Sequence, residues 1–517
     1  MNYPVWYLPE TGGGLLIAAI AIVHVFISHF AVGGGLYLVF AERKGIREKS
    51  AAILEFTRSH AKFFLLMTVV AGGITGVAIW WIISLVHPSA TSLLIHTFVF
   101  GWAIEWVFFL VEIVSIFIYF YTFGRMDDRT HQIMGWIYFI AAWLSLFVIN
   151  GIIGFMLDPG TWPEDRSFWS GFFNPLFWPA LVFRTAVACM FAGVYAFLTT
   201  AFLDDPETKR SMTLFSAKWV LVSWLAAIPC GIWYYLAVPP EARALIAGAS
   251  PTIQRALQAG LWAVSALAVL TLLLVILKPA RHTRPVSFFI FLCALVFMGA
   301  FEWTREAARR PYVVNRVLYS NGIARADVPR LQRTGYLEAA LWTRHKGVDE
   351  ENLMEAGKEL FVHQCHACHT IGGANNDILA RTRSMSFPAM ASYIRTIHEK
   401  RYFMPPFAGT EAEVRALATY IVGGLHGKEI AERRPSAAGA PSGRDVFEEH
   451  CSACHTVSGG DNPLSPKVAG WDRNRIRGAL DRLETLADGA MPPLKAPPAE
   501  KDALADFLVS TQRGGAQ

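Results

Sequence analysis

Long apolar runs fill the chain up to about residue 305, and polar residues dominate after it. An α-helix needs about 20 consecutive apolar residues to cross the hydrocarbon core of a bilayer. Runs of that length predict membrane-spanning helices near 14–40, 63–86, 93–122, 133–157, 175–202, 216–238, 257–277 and 286–304. The pattern therefore predicts an all-α fold, in which a bundle of about eight transmembrane helices in a lipid bilayer precedes a smaller polar part.

The composition agrees with a membrane location. Of the 517 residues, 53% are hydrophobic, which is too apolar for an ordinary soluble enzyme. The net charge of +5 is mild and the basic residues form no stripe, so no nucleic-acid partner is expected. Three of the seven cysteines lie in apolar segments and are expected to be small core residues rather than disulfide partners: Cys189, Cys230 and Cys293.

The basic residues of the loops predict the orientation of the chain. Fourteen lysines and arginines lie in alternate loops, at 41–62, 122–132, 203–218 and 278–285. The opposite loops hold only Arg166, Arg243 and Arg255. Because cytoplasmic loops carry the basic excess, both termini are expected on the periplasmic side of a bacterial inner membrane. The N-terminus has no basic region of a signal peptide, so the first span is expected to start insertion.

The polar part contains a duplicated motif. The segment "AGKELFVHQCHACHT" is echoed by "SGRDVFEEHCSACHT" 86 residues later. Each copy has the spacing Cys-x-x-Cys-His, which is typical of a haem attached through two thioethers and ligated by the histidine. The predicted attachment residues are Cys365, Cys368 and His369 in the first copy and Cys451, Cys454 and His455 in the second. A single such motif is also compatible with zinc or a redox dithiol, but the duplication favours two covalent c haems.

A Met-Pro-Pro sequence follows each motif at a similar distance. Met404 lies 35 residues after His369, and Met491 lies 36 residues after His455. A histidine–methionine pair leaves no open position on the iron, so such haems carry electrons. Two further methionines of the first copy remain alternative ligands, Met385 and Met390. Three nearby histidines are expected at the surface or against a haem edge: His363, His366 and His450.

These patterns divide the chain into five parts. Residues 1–305 are expected to form a transmembrane domain, and 306–350 to connect it to the tail. Residues 351–430 form the first cytochrome c domain, and 444–517 form the second. The segment 431–443, "AERRPSAAGAPSG", is expected to be a flexible linker.

Ionisable residues inside the predicted spans are candidate functional residues, because they are costly in a membrane. They are His24 and His29 in the first span, Glu105 and Glu112 in the third, Arg184 in the fifth, and Glu302, Arg305 and Arg309 at the end of the eighth. Glu105 and Glu112 lie two turns apart on one helix face. Four other histidines, at helix ends, are expected to be solvated: His60, His87, His96 and His131.

These segments resemble subunit I of the cytochrome bd oxidase superfamily over about residues 1–320. His24 matches the first-helix histidine that ligates a haem at the oxygen-reducing centre. Glu105 and Glu112 resemble the paired glutamates of the third helix, one close to the haems and one farther along a proton path. Asn150-Gly151, followed by Asp158-Pro159, resembles the segment that closes the fourth helix.

The end of the eighth span extends this resemblance. Glu302 matches the glutamate that ligates a high-spin b haem, and either Arg305 or Arg309 would pair with a haem propionate. The family implies one or two haems of type b or d in the membrane domain and a second membrane subunit of bd type. A plain hydrogen-bonding role for His24 and an interfacial role for Glu302 are the alternatives. His29 lies about 140° around the helix from His24, so the two cannot share a face.

The chain departs from the family in two places. Arg184 stands where the family has a histidine that ligates a low-spin haem, and it either pairs with a propionate or fills the vacated space. The loop "AVPPEARALIAGASPTIQR" is short where the family has a long quinol-binding loop. Both departures remove quinol entry, so the tail haems are expected to replace it.

The sequence thus predicts a cytochrome c-linked terminal oxidase subunit. Electrons from a periplasmic c-type cytochrome would pass through the two c haems to a high-spin haem held by His24 and Glu302, where oxygen is reduced to water. Glu105 and Glu112 would supply protons, and Arg305 would support the haem. Nitric oxide reduction, electron relay without gas reduction, and quinol-to-cytochrome c transfer remain open alternatives.

Overall fold

The computed structural model describes residues 3–277, 279–430, 442–452, 454–458, 462–486, 491 and 493–513. Within these residues, eight helices are long and apolar enough to cross a membrane. We number them span 1 to span 8: Gly13–Arg47, Ala51–Val86, Val99–Thr122, Asp128–Leu157, Phe177–Thr200, Pro206–Ala237, Pro251–Leu277 and Arg284–Ala308. The prediction of an all-α membrane bundle is confirmed.

Several spans extend beyond their apolar cores, and polar caps explain where they begin. Asp127 accepts a hydrogen bond from the amide of Thr130 at the start of span 4. Asp205 does the same for Thr208 at the start of span 6. Since such caps satisfy backbone donors that the helix leaves unpaired, these helices start several residues before their apolar runs.

Short elements complete the membrane part and the connecting segment. Residues Leu66–Gly72 of span 2 are π-helical. The loops contain the short helices Pro88–Thr97, Trp162–Asp165, Phe168–Phe172, Pro240–Ala244, Leu245–Ala249 and Pro279–Arg281. A two-stranded sheet, Tyr312–Val314 with Leu318–Tyr319, is followed by the helices Arg325–Asp327, Val328–Thr334 and Tyr336–Ala339.

The chain folds into two compact units. One consists of Leu16–Leu85 and Ala90–Val317, and the other of Met1–Leu15, Val86–Ser89 and Leu318–Gln517. We call them the membrane unit and the c unit. The c unit therefore includes two pieces of the N-terminal part of the chain as well as both cytochrome c domains.

Span 5 lies at the centre of the membrane unit. Tyr195 of this span stacks on Phe30 of span 1 with the ring centroids 3.9 Å apart, and Phe26 and Phe191 pack beside them. These four rings are buried. Spans 2, 3 and 6 instead expose apolar side chains along much of their length, as expected for helices that face lipid or another membrane subunit.

The first cytochrome c domain is built on two crossing helices. Leu353–Gln364 leads into the haem motif and packs against Glu411–Thr419. A β-carbon built at Gly357 would lie 2.1 Å from the carbonyl oxygen of Ala416. Only glycine therefore allows this crossing. The other helices of the domain are Ile378–Thr382, Phe387–Arg395, Ile397–Lys400 and the π-helical Tyr420–Leu425.

The second domain repeats this crossing. Gly443–His450 precedes the motif and packs against Pro498–Arg513. A β-carbon at Gly443 would lie 2.0 Å from the carbonyl oxygen of Ala503. The same contact thus recurs 86 residues after Gly357, so the duplication extends from the motif to the packing. The remaining described helices are Arg473–Leu480 and Leu483–Leu486.

Candidate haem sites

The haem motif of the first c domain is held by a local hydrogen-bond loop. The carbonyl of Asn376 accepts a hydrogen bond from Nδ1 of His369 at 3.1 Å. The side-chain amide of Asn376 donates back to the carbonyl of Cys368 at 2.7 Å. Because a carbonyl can only accept, Nδ1 of the histidine carries the proton and Nε2 is its metal-ligating nitrogen. This donor set fits a covalently attached haem.

The second domain has the same loop. Nδ1 of His455 donates to the carbonyl of Asn462 at 3.2 Å, and the side chain of Asn462 donates to the carbonyl of Cys454 at 2.8 Å. Both asparagines have a positive φ, of 52° at Asn376 and 56° at Asn462, which asparagine tolerates better than most residues. Neither asparagine was predicted from the sequence, although each lies seven positions after its motif histidine.

The predicted methionine ligands remain predictions. Met404 lies in a loop, where its carbonyl accepts a hydrogen bond from Nδ1 of His398 at 2.6 Å. Met385 and Met390 are buried in the first domain. Met491 is described, but its neighbours 487–490 and 492 lie outside the described residues. Most of the predicted linker, 431–441, lies outside them as well.

The two c domains contact each other close to their haem motifs. Nη2 of Arg401 lies 3.5 Å from Sγ of Cys454. Glu399 and Lys495 form an ion pair at 2.9 Å. Arg401 also accepts a backbone hydrogen bond from Met404 through its carbonyl. The attachment cysteine of the second domain therefore touches the turn that presents the candidate methionine ligand of the first.

The N-terminal segment of the chain packs on the first haem motif. The carbonyl of Pro9 accepts a hydrogen bond from the amide of Ile371 at 2.7 Å. Nε2 of His366 accepts one from the amide of Leu8 at 3.0 Å, and Tyr7 packs against its ring. His366 is buried by these contacts, so of the two expected positions, at the surface or against a haem edge, only the second remains a prediction for it. Desolvation in this position lowers the pKa of His366.

In the membrane unit, Glu302 is the centre of a buried ion-pair cluster. Its carboxylate is 5% exposed and joins two helices. Oε1 accepts a hydrogen bond from Nη2 of Arg184 at 3.2 Å. Oε2 accepts two from Arg305, from Nε at 3.0 Å and Nη2 at 2.9 Å. Arg184, which stands where the family resemblance led us to expect a histidine, therefore pairs with the candidate haem ligand itself.

Two guanidinium groups at this site each have one buried nitrogen without an acceptor in the part of the chain that the structure describes. Glu306 contacts both Arg305 and Arg309. Nη1 of Arg305 and Nη1 of Arg309 nevertheless have no hydrogen-bond partner among the described residues. A buried charged donor without an acceptor is costly. The carboxylates of haem propionates would supply acceptors, so these residues fit a haem.

The two histidines of span 1 both present a nitrogen suited to iron. Thr75 donates its hydroxyl proton to the carbonyl of Ala71 at 2.8 Å, so it accepts at 3.1 Å from Nδ1 of His24. Nδ1 of His29 donates to the carbonyl of Val25 at 2.8 Å. Nε2 of His29 is buried and has no partner within the described part of the chain.

His29 also lies within electrostatic range of Arg184 and Glu302. It is only 3% exposed, whereas His24 is half-buried. The family resemblance favours His24 of the two candidates. The buried Nε2 of His29, which has no partner in the described residues, keeps it as a second candidate ligand beside the Glu302 cluster.

The predicted glutamate pair of span 3 faces span 4. Oε1 of Glu105 accepts a hydrogen bond from the hydroxyl of Ser145 at 2.8 Å. Oε1 of Glu112 is buried and has no hydrogen-bond partner among the described residues. A buried carboxyl with an unused oxygen can hold a proton or accept one from water. This arrangement is compatible with the predicted role in proton transfer.

The fourth-helix segment has a structural role. The side-chain amide of Asn150 donates to the carbonyl of Phe177 at 2.8 Å and so ties span 4 to span 5. Asp158 forms an ion pair with Arg316 at 3.3 Å. Desolvation raises the pKa of Asp158, against the opposing effect of its hydrogen bond with Gly160.

Two histidines that were expected to be solvated are buried instead. His60 and His131 are both inside the membrane unit, because their helices begin before the predicted spans. Nδ1 of His60 lies 2.9 Å from the hydroxyl of Thr199. His96 is exposed, as expected. Nε2 of His87, which lies in the c unit, donates a hydrogen bond to the carbonyl of Ser320 at 2.7 Å.

Comparison with known proteins finds two different families along the chain. Residues 15–238 match the family model of cytochrome bd terminal oxidase subunit I. Residues 352–421 and 438–508 each match cytochrome C oxidase, cbb3-type, subunit III. The structure of bd oxidase from Geobacillus thermodenitrificans is similar in fold, with a TM-score of 0.51 and 17% identity over 59% of this chain and 88% of that one. No curated protein matches the chain.

The chain is therefore a respiratory haem oxidoreductase of the membrane. A membrane part that matches the cytochrome bd subunit I model is followed by two regions that match cytochrome c domains. The c domains imply covalent haem c, and the membrane family implies haem b or d and a companion membrane subunit. The bd match covers spans 1 to 6, so the role of Glu302 in span 8 stays a prediction.

Proposed function

We propose that this protein passes electrons from a periplasmic c-type cytochrome through its two c haems to a gas-reactive haem in the membrane unit, where oxygen is reduced to water. The observation that carries the proposal is the Glu302 cluster, with its buried, unpaired arginine donors. A haem whose iron keeps an open position supplies the chemistry of binding and reducing a diatomic gas.

Each residue of the cluster has a distinct role in holding this haem. Glu302 would be the carboxylate ligand, and Arg184 and Arg305 form ion pairs with it in a buried place. Arg305 and Arg309 bind the propionates through their unpaired Nη1 groups. His24 would be a histidine ligand of the membrane haem, and His29, whose buried Nε2 has no partner among the described residues, is the alternative ligand.

The tail replaces quinol as the source of electrons. By the family resemblance, Arg184 stands at the position of the histidine that ligates the low-spin haem, and it is hydrogen-bonded to Glu302. The low-spin haem that would take electrons from quinol therefore has no histidine ligand at this position. The contact between Arg401 and Cys454 supports electron transfer between the two c haems. His369 and His455 are their histidine ligands, and Met404 and Met491 are the proposed sixth ligands.

Proton supply and sidedness complete the proposal. Glu105, hydrogen-bonded to Ser145, and Glu112 pass protons to the site. The basic loops face the cytoplasm, and both termini face the periplasm of a bacterial inner membrane. The packing of residues 7–9 on the first haem motif supports a common side for the N-terminus and the tail. A second membrane subunit of bd type would cover the exposed apolar spans.

A second candidate function is electron relay without gas reduction. Both oxygens of Glu302 are already paired with arginine, which would leave it as a purely structural carboxylate. Nitric oxide remains an alternative substrate at the same site.

Gas consumption by the purified protein complex separates these functions. We expect oxygen consumption with reduced cytochrome c, and none with a reduced quinol. The double variant Cys451→Ser/Cys454→Ser should lose activity with cytochrome c. Activity with quinol alone would reverse the proposed direction of electron flow, and consumption of nitric oxide but not oxygen would change the substrate. If the complex consumes no gas with either donor, the result would support electron relay without gas reduction.

A further inference from the structure

The C-terminal end of span 1, where the basic residues of 41–62 begin, contains a buried carboxyl–imidazole pair. Glu42 is 3% exposed and His131 is 2% exposed. Nδ1 of His131 lies 2.6 Å from Oε1 of Glu42. The hydroxyl of Tyr119 and the side-chain amide of Gln132 donate to Oε2 at 2.9 and 2.5 Å. Side chains from spans 3 and 4 therefore surround one carboxyl group of span 1.

The hydrogen bonds of this pair define how many protons it holds. Nε2 of His131 lies 2.8 Å from the carbonyl of Tyr119, which can only accept, so Nε2 carries a proton. One further proton fits between Nδ1 and Oε1, as an imidazolium with a carboxylate or as a neutral histidine with a carboxylic acid. Without it, a nitrogen lone pair faces the carboxylate, whose Oε2 is still held by Tyr119 and Gln132. The pair is therefore built to bind and release one proton.

The same pair stands at one end of a row of polar side chains between spans 3 and 4. These helices are antiparallel, and polar residues recur on each every seven residues, which places them on one face. The facing residues are Glu105 with Ser145, Glu112 with Tyr138, and Tyr119 with His131. The row spans roughly 21 Å along the helix axis, against a hydrocarbon core of about 30 Å.

We propose that the Glu42–His131 pair is the proton-accepting site of this protein and that it supplies Glu112 and then Glu105. The inference rests on the proposed function, in which both glutamates deliver protons for gas reduction. Protons enter from bulk water past exposed Asp128, which lies one turn before His131. Each electron that a reduced c-type cytochrome delivers draws in one proton. Water molecules carry the proton over the roughly 10 Å between successive positions of the row.

The test compares proton uptake and oxygen consumption by the purified complex in liposomes containing a pH-sensitive dye. Glu42→Gln and His131→Gln should slow both by roughly tenfold or more. Their haem content and the rate at which cytochrome c reduces their c haems should stay at the wild-type values. Glu48→Gln is the matched control, because Glu48 lies on the same helix end but is exposed and paired with Lys44. Glu42→Asp, which keeps a carboxyl group, should recover part of the rate.

The outcomes separate this inference from the proposed function. Wild-type rates in Glu42→Gln and His131→Gln, together with a slow Glu112→Gln, would overturn the inference alone. If Glu42→Gln loses its haems, the rates of proton uptake and oxygen consumption are compared between His131→Gln and Glu42→Asp instead. Equal rates in those two variants would also overturn the inference. A wild-type protein that consumes no gas would overturn the proposed function, and the supply role with it.

Discussion

The c haem sites and the membrane site of this chain are built in opposite ways. In each c domain, the motif histidine and the asparagine that holds it are seven residues apart. In the membrane unit, Glu302 and Arg184 are separated by 118 residues and come from two helices. A local site can be predicted from a short stretch of sequence, whereas the membrane site forms only when the helices pack. The predictions below test this difference.

The largest effect is expected at the membrane site. Glu302→Gln removes the proposed ligand and leaves the buried Arg184 without a counter-ion, a change that typically costs about 3–5 kcal/mol. We expect loss of the carbon-monoxide-binding haem, while the two c haems remain. The measurement is haem content by extraction together with the thermal unfolding of the purified protein.

The neighbouring carboxylate provides the control for that change. Glu306→Gln alters a half-buried partner of the same two arginines, Arg305 and Arg309. It should keep the gas-reactive haem. Equal haem loss in both variants would show that the site requires negative charge in general, and it would contradict the role of Glu302 as a haem ligand.

A smaller effect is expected where the c domains are duplicated. Gly357→Ala forces a β-carbon against the Ala416 carbonyl, and overpacking of this kind costs about 1–3 kcal/mol. Gly443→Ala should have the same effect in the second domain. Denaturant titration of the full chain, followed by haem absorbance, should show one of two c haem transitions shifted in each variant. A shift of both transitions by either substitution would mean that the domains do not unfold independently.

The smallest effect on stability is expected at a helix cap that is present in the first c domain and absent from the equivalent, described position of the second. Asp377 caps the helix Ile378–Thr382 and accepts from the amide of Gly372, whereas the equivalent position of the second domain is Pro463. Desolvation alone would raise the pKa of Asp377, but its backbone hydrogen bonds outweigh that effect and lower it. Asp377→Ala should therefore cost about 1 kcal/mol at neutral pH.

The lowered pKa also sets the pH dependence of this effect. The stabilisation by Asp377 is fully present above the ordinary aspartate pKa of about 3.9 and is lost as the pH falls through the lower value in the folded protein. The difference between wild type and Asp377→Ala should therefore shrink in acid to about that between Asp377→Asn and Asp377→Ala. Asp377→Asn, which keeps a capping side chain, should lie between the two at neutral pH. A pH-independent difference would contradict an electrostatic contribution.

The sequence predicted the elements better than the contacts between them. The eight spans followed from apolar run length, and both c domains followed from a repeated motif. His60 and His131 were misplaced because hydropathy marks the apolar centre of a helix and misses polar residues beyond it. The pairing of Glu42 with His131, 89 residues apart, depends on how spans 1 and 4 pack. No spacing rule could have found it, whereas Asn376 and Asn462 were recoverable from the repeat.

The most direct test of the central claim is the carbon monoxide difference spectrum of the reduced protein, combined with extraction and counting of its haems. The account predicts two covalent c haems that do not respond and at least one further haem of type b or d that binds carbon monoxide. Two c haems without any carbon-monoxide-binding haem would contradict it, and the protein would then be an electron relay on the membrane fold of an oxidase.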